Sequence, residues 1–223
     1  MIYILLEDFP KKILFLKGDL FKYLVKVRRH IEGDKIYFRA KGNMETLYLY
    51  RVNMIENRTI ELEQVSYENK IIASKRPLHI AWCTIDSKAI EKVLPSLSEI
   101  GVTRISFIHC DRSQKSFKLD FKRFERILEA SMQQCGRSTY IEFDIYKNIA
   151  DFIREFPETK VFDFTDKTLC DYIDFNTVLV GCEGGFSAVE KEFLKSQNIF
   201  RLNTPMILRS ESAVMAVASK ILL

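Results

Sequence analysis

The pattern of short elements changes once along this chain, at Ile71-Ile-Ala-Ser-Lys-Arg-Pro77, and that change constrains the fold most. Before it, Lys35–Ala40, Thr46–Val52 and Thr59–Val65 are short alternating runs rich in β-branched and aromatic residues. The turn-like stretches Lys41-Gly-Asn-Met44 and Glu56-Asn-Arg58 separate them. Evenly spaced strands of this kind predict a small β-barrel over residues 1–72. Asp19 is placed to cap a preceding helix, Leu20–Arg29. After Pro77, strands alternate with helices, which predicts an α/β domain over residues 73–223 with a mostly parallel sheet. The strands are Leu78–Cys83, Arg104–His109 and runs near Ile141, Val161 and Val178. The helices are Ser87–Ile100, closed by Gly101, then Phe121–Gln134, runs near Ile149 and Val189, and Glu211–Leu223. Pro95 predicts a kink or a split in the first of these. Val214, Val217, Ala218 and Ile221 form an apolar stripe on the last, suited to a subunit interface.

Within the second region, Val178-Leu-Val-Gly-Cys-Glu-Gly-Gly-Phe-Ser-Ala-Val-Glu190 reads as strand, glycine loop and helix start. Ser187 and Glu190 have capping-box spacing. Such a loop is either a plain tight turn or a cradle of backbone N–H groups for a small ligand. It contains neither a nucleoside-triphosphate P-loop nor G-x-G-x-x-G. Glu183 would repel a phosphate, so a hydroxyl-bearing or cationic ligand suits it better. In parallel sheets ligands bind at the carboxyl ends of strands, where Gly181 is expected. Leu202-Asn-Thr-Pro-Met-Ile-Leu-Arg-Ser-Glu-Ser-Ala213 is a second irregular stretch before a helix, which Ser210 or Ser212 can cap. Arg209 and Glu211 are charges set among apolar residues there, and the two loops can form two walls of one pocket.

Charge is unevenly spread. The 223-residue chain has net charge +4, and residues 1–76 alone carry +5. Lys17, Lys22, Lys26, Arg28, Arg29, Lys35, Arg39 and Lys41 face only Asp19, Glu32 and Asp34. This cluster fits either a phosphate backbone or a solvated lysine-rich surface. Cys83, Cys110, Cys135, Cys170 and Cys182 are odd in number and unpaired in spacing, and His30, His79 and His109 are dispersed. Neither a disulfide framework nor a metal site is expected. No run approaches the roughly 18 apolar residues that span a bilayer. The N-terminus reaches Glu7 and Asp8 without a basic start, so no secretory signal and a cytoplasmic location are expected.

Gly181-Cys-Glu-Gly-Gly-Phe-Ser187 resembles the GPEGGFS loop of the SPOUT-class 16S ribosomal RNA uridine methyltransferases, the RsmE family. Leu202–Ala213 is similar to that family's L-G-x-R-I-L-R-x-E-T-A segment, Ser98–Val102 to T-E-L-G-V, and Asp111–Ser113 to E-R-S. Gln134–Arg137 matches Q-x-x-R, and Tyr23–Arg29 with Gly33-Asp34 resembles H-x-x-x-V-L-R…G-D. The segments occur in family order over essentially the whole chain. Cys182 departs from the loop proline, Ser212 from a threonine and Tyr23 from a histidine.

The resemblance implies a PUA-like β-barrel that binds RNA, followed by a SPOUT α/β domain with a C-terminal trefoil knot. It further implies S-adenosyl-L-methionine as cofactor, no metal, a homodimer, and methylation of uridine N3 in 16S ribosomal RNA or the small subunit. Arg209, Arg112, Arg137 and Glu211 are then the catalytic candidates, with Glu211 either accepting a proton or orienting Arg209. Val180, Gly181, Glu183, Gly184, Gly185, Leu202, Asn203, Ile207 and Leu208 are the cofactor-binding candidates. Lys22, Lys26, Arg28, Arg29 and Arg39 are the RNA-binding candidates. The alternatives are a SPOUT enzyme with another RNA target, a non-catalytic RNA-binding assembly factor, or a generic nucleotide-binding α/β enzyme.

Overall fold

A computed structural model describes residues 2–8, 11–113, 118–169 and 175–223; Cys170 lies outside them. The chain forms two compact units, Met1–Ala73 with Met132–Thr139, and Ser74–Ser131 with Tyr140–Leu223.

The first unit is a curled five-stranded sheet, a half-barrel. Its strands are β1 (Ile4–Leu6), β2 (Ile13–Leu16), β3 (Lys35–Ala40), β4 (Asn43–Glu56) and β5 (Thr59–Asn69), in spatial order β1-β3-β4-β5-β2. A short helix α1 (Gly18–Phe21) continues into a π-helical stretch, Lys22–Val27. Asp19 does not cap it: Lys17 is the cap residue, and Asp19 pairs with Lys22 Nζ at 3.1 Å. The core gathers Phe21 and Leu24 from the helix with Ile36, Phe38, Tyr50, Val52, Ile60 and Leu62 from the sheet. Each fully buried aliphatic side chain contributes about 1.5–3 kcal/mol.

Arg39 corrects a reading made from alternation. Positions 35, 37 and 39 should share the outer face of β3. The register against β4 shifts between Phe38 and Ala40, and Arg39 is wholly buried. Its guanidinium donates to Met44 O at 2.5 Å and Lys70 O at 2.7 Å, and its Cζ lies 5.1 Å from the Tyr3 ring centroid. It holds the half-barrel and offers no face to phosphate.

The second unit is a wholly parallel six-stranded sheet with flanking helices. Its strands are β6 (His79–Cys83), β7 (Arg104–Ile108), β8 (Glu142–Tyr146), β9 (Lys160–Phe162), β10 (Thr177–Val180) and β11 (Ile199–Phe200). The spatial order is β11-β9-β10-β6-β7-β8. Every residue of β6 is buried, as a strand covered on both faces requires. The helices are α2 (Ser87–Ile100), α3 (Phe121–Cys135), α4 (Ile149–Glu155), α5 (Ala188–Leu194) and α6 (Ser210–Leu222). Pro95 does not split α2: the helix runs unbroken with Ile90, Leu94 and Leu97 fully buried, so tertiary packing outweighs the lost backbone bond. Gly101 closes it in the left-handed conformation, φ 110°. On α6, Val214, Val217 and Ala218 are fully buried and Ile221 nearly so, packed within this unit. The stripe expected to serve a subunit interface is therefore core. Among the described residues, no helix is long and apolar enough to cross a membrane, and no cluster of His, Cys, Asp or Glu is arranged to hold a metal.

A cleft at the carboxyl ends of the parallel sheet

Beta-branched Thr177-Val-Leu-Val180 runs along the sheet interior as β10, then stops at Gly181. A tight turn follows, closed by Gly185 N–H donating to Cys182 O at 2.9 Å, with Gly185 at φ 65°. The next helix begins with a complete capping box. Ser187 Oγ accepts from Glu190 N–H at 3.2 Å, and Glu190 Oε2 accepts from Ser187 N–H at 2.8 Å. The same carboxylate, only 9% exposed, accepts from Asp111 N–H at 2.8 Å. Ser187 Oγ also contacts Asp111 Oδ2 at 2.5 Å. Glu190 thus fastens the glycine loop to the segment that follows β7.

The second loop is fastened to the first through Ser210. Its hydroxyl donates to Gly181 O at 2.6 Å and accepts from Trp82 Nε1 at 2.8 Å. Ser210 is the first residue of α6, but Arg209 is its cap residue, so the capping role expected of Ser210 or Ser212 is not taken. Between these ties lies a cleft of about 560 Å³. It brings together Val180, Gly181, Glu183, Gly184 and Gly185 from one loop with Leu202, Ile207, Leu208 and Arg209 from the other. Arg112 also lines it and donates from Nη1 to Gly184 O at 2.6 Å. Gly184 lets Arg112 pack closely, since a Cβ there would sit 3.2 Å from Cβ of Arg112.

Three expected site residues lie elsewhere. Asn203 is exposed and outside the cleft lining. Glu211 is half-buried in the first turn of α6, also outside the lining. Arg137 belongs to the first unit, where it is 5% exposed and donates from Nε to Thr139 O at 2.6 Å. Burial holds its guanidinium below the usual arginine range. Lys22, Lys26, Arg28 and Arg29 are exposed on the first unit.

The cleft also recruits residues that the sequence did not single out. Phe162, Asp163 and Phe164 enter from the end of β9, the neighbour of β10. Asp163, with its side chain 14% exposed, pairs with Lys191 Nζ of α5 at 3.4 Å. The rule that finds Gly181 would have found Asp163, but it needs the strand order, which the sequence alone does not carry. Cys182 contributes a buried thiol 3.5 Å from that of Cys110. The adjoining Cys110, and then burial, push the Cys182 thiol up, which favours its protonated form. The arrangement offers apolar walls, loop backbone groups, the Glu183 carboxylate, the Asp163–Lys191 pair and the cations Arg112, Arg201 and Arg209. That set suits a small ligand with a flat apolar portion, beside a second reactant on which negative charge develops.

The sequence family of the RNA methyltransferase domain matches residues 73–222. The ribosomal RNA small subunit methyltransferase E of Helicobacter pylori strain 26695 is 33% identical over 213 residues, covering 93% of each chain. Two crystal structures share the fold. A probable rRNA methyltransferase from Porphyromonas gingivalis gives a TM-score of 0.75 at 21% identity, covering 93% of this chain and 91% of that one. Ribosomal RNA small subunit methyltransferase E from Neisseria gonorrhoeae, bound to S-adenosyl methionine, gives 0.75 at 18% identity, covering 99% and 96%.

Proposed function

This chain belongs to the ribosomal RNA small subunit methyltransferase E family, and from that premise we propose that it methylates N3 of a uridine in 16S ribosomal RNA with S-adenosylmethionine. The observation that carries this reading is the cleft shared by the 181–187 and 202–209 loops. Its volume of about 560 Å³ suits a small-molecule cofactor. Its lining matches the chemistry of the group. Phe162, Leu202 and Leu208 provide apolar walls for an adenine, backbone groups of 181–185 suit ribose hydroxyls, and Glu183 favours a positive charge.

When bound, S-adenosylmethionine supplies a methyl group on a sulfonium, open to in-line displacement. The protein's task is alignment and charge stabilisation. A uridine nitrogen becomes nucleophilic only as its imide proton leaves, and charge then spreads onto the base carbonyl oxygens. Arg209, exposed at the cleft, is placed to stabilise that charge. Glu211 lies outside the lining, which argues against its taking the proton. Arg112 shapes the glycine loop and offers charge to the target's phosphates. In this reading residues 1–72 bind ribosomal RNA through Lys22, Lys26, Arg28 and Arg29, and residues 73–223 form the catalytic domain. The enzyme acts as a homodimer through surfaces other than the buried α6 stripe, which light scattering of the purified chain tests.

Arg209→Ala should lower turnover by roughly 10²–10³-fold while calorimetric affinity for S-adenosylmethionine changes little. Unaltered turnover would remove Arg209 from the mechanism. Mass spectrometry of ribosomal RNA nucleosides from cells lacking the protein should show loss of N3-methyluridine alone. Loss of a different modified nucleoside would overturn the uridine-N3 assignment.

A further inference from the structure

The first unit contains a second cavity that methyl transfer leaves unused. It measures about 350 Å³ and is lined by β1, the π-helical stretch, the 28–30 turn and β3. Tyr23, Val27, Arg28, His30, Lys35 and Tyr37 are among its lining residues. Val27 is 66% exposed and Tyr37 42% exposed, so apolar and aromatic surface is left in water beside an existing cavity. Arg28 Cζ lies 5.9 Å from the Tyr23 ring centroid. His30 Nδ1 is held by Asp34 Oδ2 at 3.1 Å.

The turn that carries these groups is fixed in advance. His30 N–H donates to Leu24 O at 3.1 Å, and Gly33 N–H donates to Val52 O at 2.8 Å. Arg29, between two lining residues, sits in the left-handed region at φ 59°. Such a backbone is strained in a non-glycine residue and persists only where surrounding structure imposes it. Arg28 and Lys35 bring positive charge to the lining, and Tyr23 and Tyr37 bring aromatic rings to it. Phosphate favours the first and a nucleobase favours the second. The volume lies at the small end of the range for ligand sites, about 300–1,000 Å³, and suits one nucleotide rather than a folded element. A stacked duplex has no free base to offer it.

We propose that this cavity is a subsite for one unstacked nucleotide of single-stranded RNA, its base against Tyr23 and Tyr37 and its phosphate at Arg28 and Lys35. The subsite rests on the reading of the chain as an enzyme that acts on RNA. It adds to that reading a requirement that a single-stranded segment of the substrate engage the first unit.

The test is fluorescence anisotropy of the full chain with a labelled ten-nucleotide single-stranded RNA and a labelled ten-base-pair RNA duplex. Tyr37→Ala should weaken single-strand binding roughly tenfold and duplex binding by less than about twofold. Tyr37→Phe should restore the single-strand affinity. Arg28→Ala should lower the salt slope of single-strand binding by about 0.7. Two outcomes overturn the proposal: single-strand affinity unchanged in Tyr37→Ala, or equal losses for single strand and duplex. Should Tyr37→Ala fail to fold, Tyr37→Leu, which keeps an apolar side chain without the ring, carries the same comparison. Displacement of an acidic peptide by these changes, with RNA unaffected, would assign the cavity to a protein partner and also overturn the proposal. Methyl transfer to small-subunit RNA, measured alongside, separates the two readings. Transfer that proceeds with Tyr37-insensitive binding sinks the subsite alone. Tyr37-dependent binding without transfer sinks the methyltransferase reading alone.

Discussion

Replacing Glu190 with glutamine tests whether one buried carboxylate organises the glycine loop. Each of its oxygens accepts a backbone N–H at 2.8 Å, one from Ser187 and one from Asp111. The substitution keeps the shape but turns one acceptor into a donor that faces an N–H group. A hydrogen bond to a charged group is worth about 1.5–3 kcal/mol, and a buried donor left without an acceptor costs about 1–3 kcal/mol. Glu190→Gln should therefore lower unfolding free energy by about 2–3 kcal/mol. Urea unfolding followed by circular dichroism measures this, and titration calorimetry measures the accompanying loss of S-adenosylmethionine affinity. Ser187→Ala removes the helix cap and the exposed Ser187–Asp111 hydrogen bond and should cost about 1 kcal/mol. The two changes share a hydrogen-bond network, so their combined cost should fall short of the sum. A loss below about 0.5 kcal/mol in Glu190→Gln, the range of an ordinary surface change, would refute the claim that this carboxylate ties the two segments together.

His79 is 7% exposed with Nε2 2.7 Å from Ser106 Oγ, and burial lowers its pKa to about 4. Its unfolded pKa is about 6.5, so between those values only the unfolded chain binds the proton. Stability from this group is present above about pH 6.5 and lost as pH falls toward 4, by up to about 3 kcal/mol. His79→Phe should flatten the pH dependence of the urea midpoint in that window, and an unchanged slope would count against the assignment. Gly185→Ala meets open space but keeps φ at 65°, so it should cost about 1–2 kcal/mol from backbone strain alone. If thermal melting shows no loss, the turn has another conformation available.

Local chemistry was the most legible part of this chain. The Ser187–Glu190 capping box, the Gly101 cap and the limits of α2 and β3 follow from spacings within a few residues, and all are present. Ten of the expected pocket and catalytic residues line one cleft because both loops precede helices at the same end of the sheet. What local pattern could not supply was long-range order. Asp163 joins the site only because β9 pairs with β10, and Arg39 turns inward only because its strand slips register against β4. The α6 stripe reads identically whether it covers its own sheet or a partner's, and only packing decides that it covers its own. Ser210 is likewise ambiguous in sequence, since a serine before a helix serves equally as a cap or as a bridge between segments distant along the chain.

That bridge has a practical consequence. The chain contains a single tryptophan, Trp82, fully buried in β6. Its indole N–H reaches Ser210 Oγ, which in turn holds Gly181 O at the threshold of the cleft. A ligand that shifts the glycine loop acts on the same serine hydroxyl to which the indole donates. The protein therefore carries its own optical reporter, and cofactor occupancy should be readable as a change in intrinsic emission, with no label and no engineered probe.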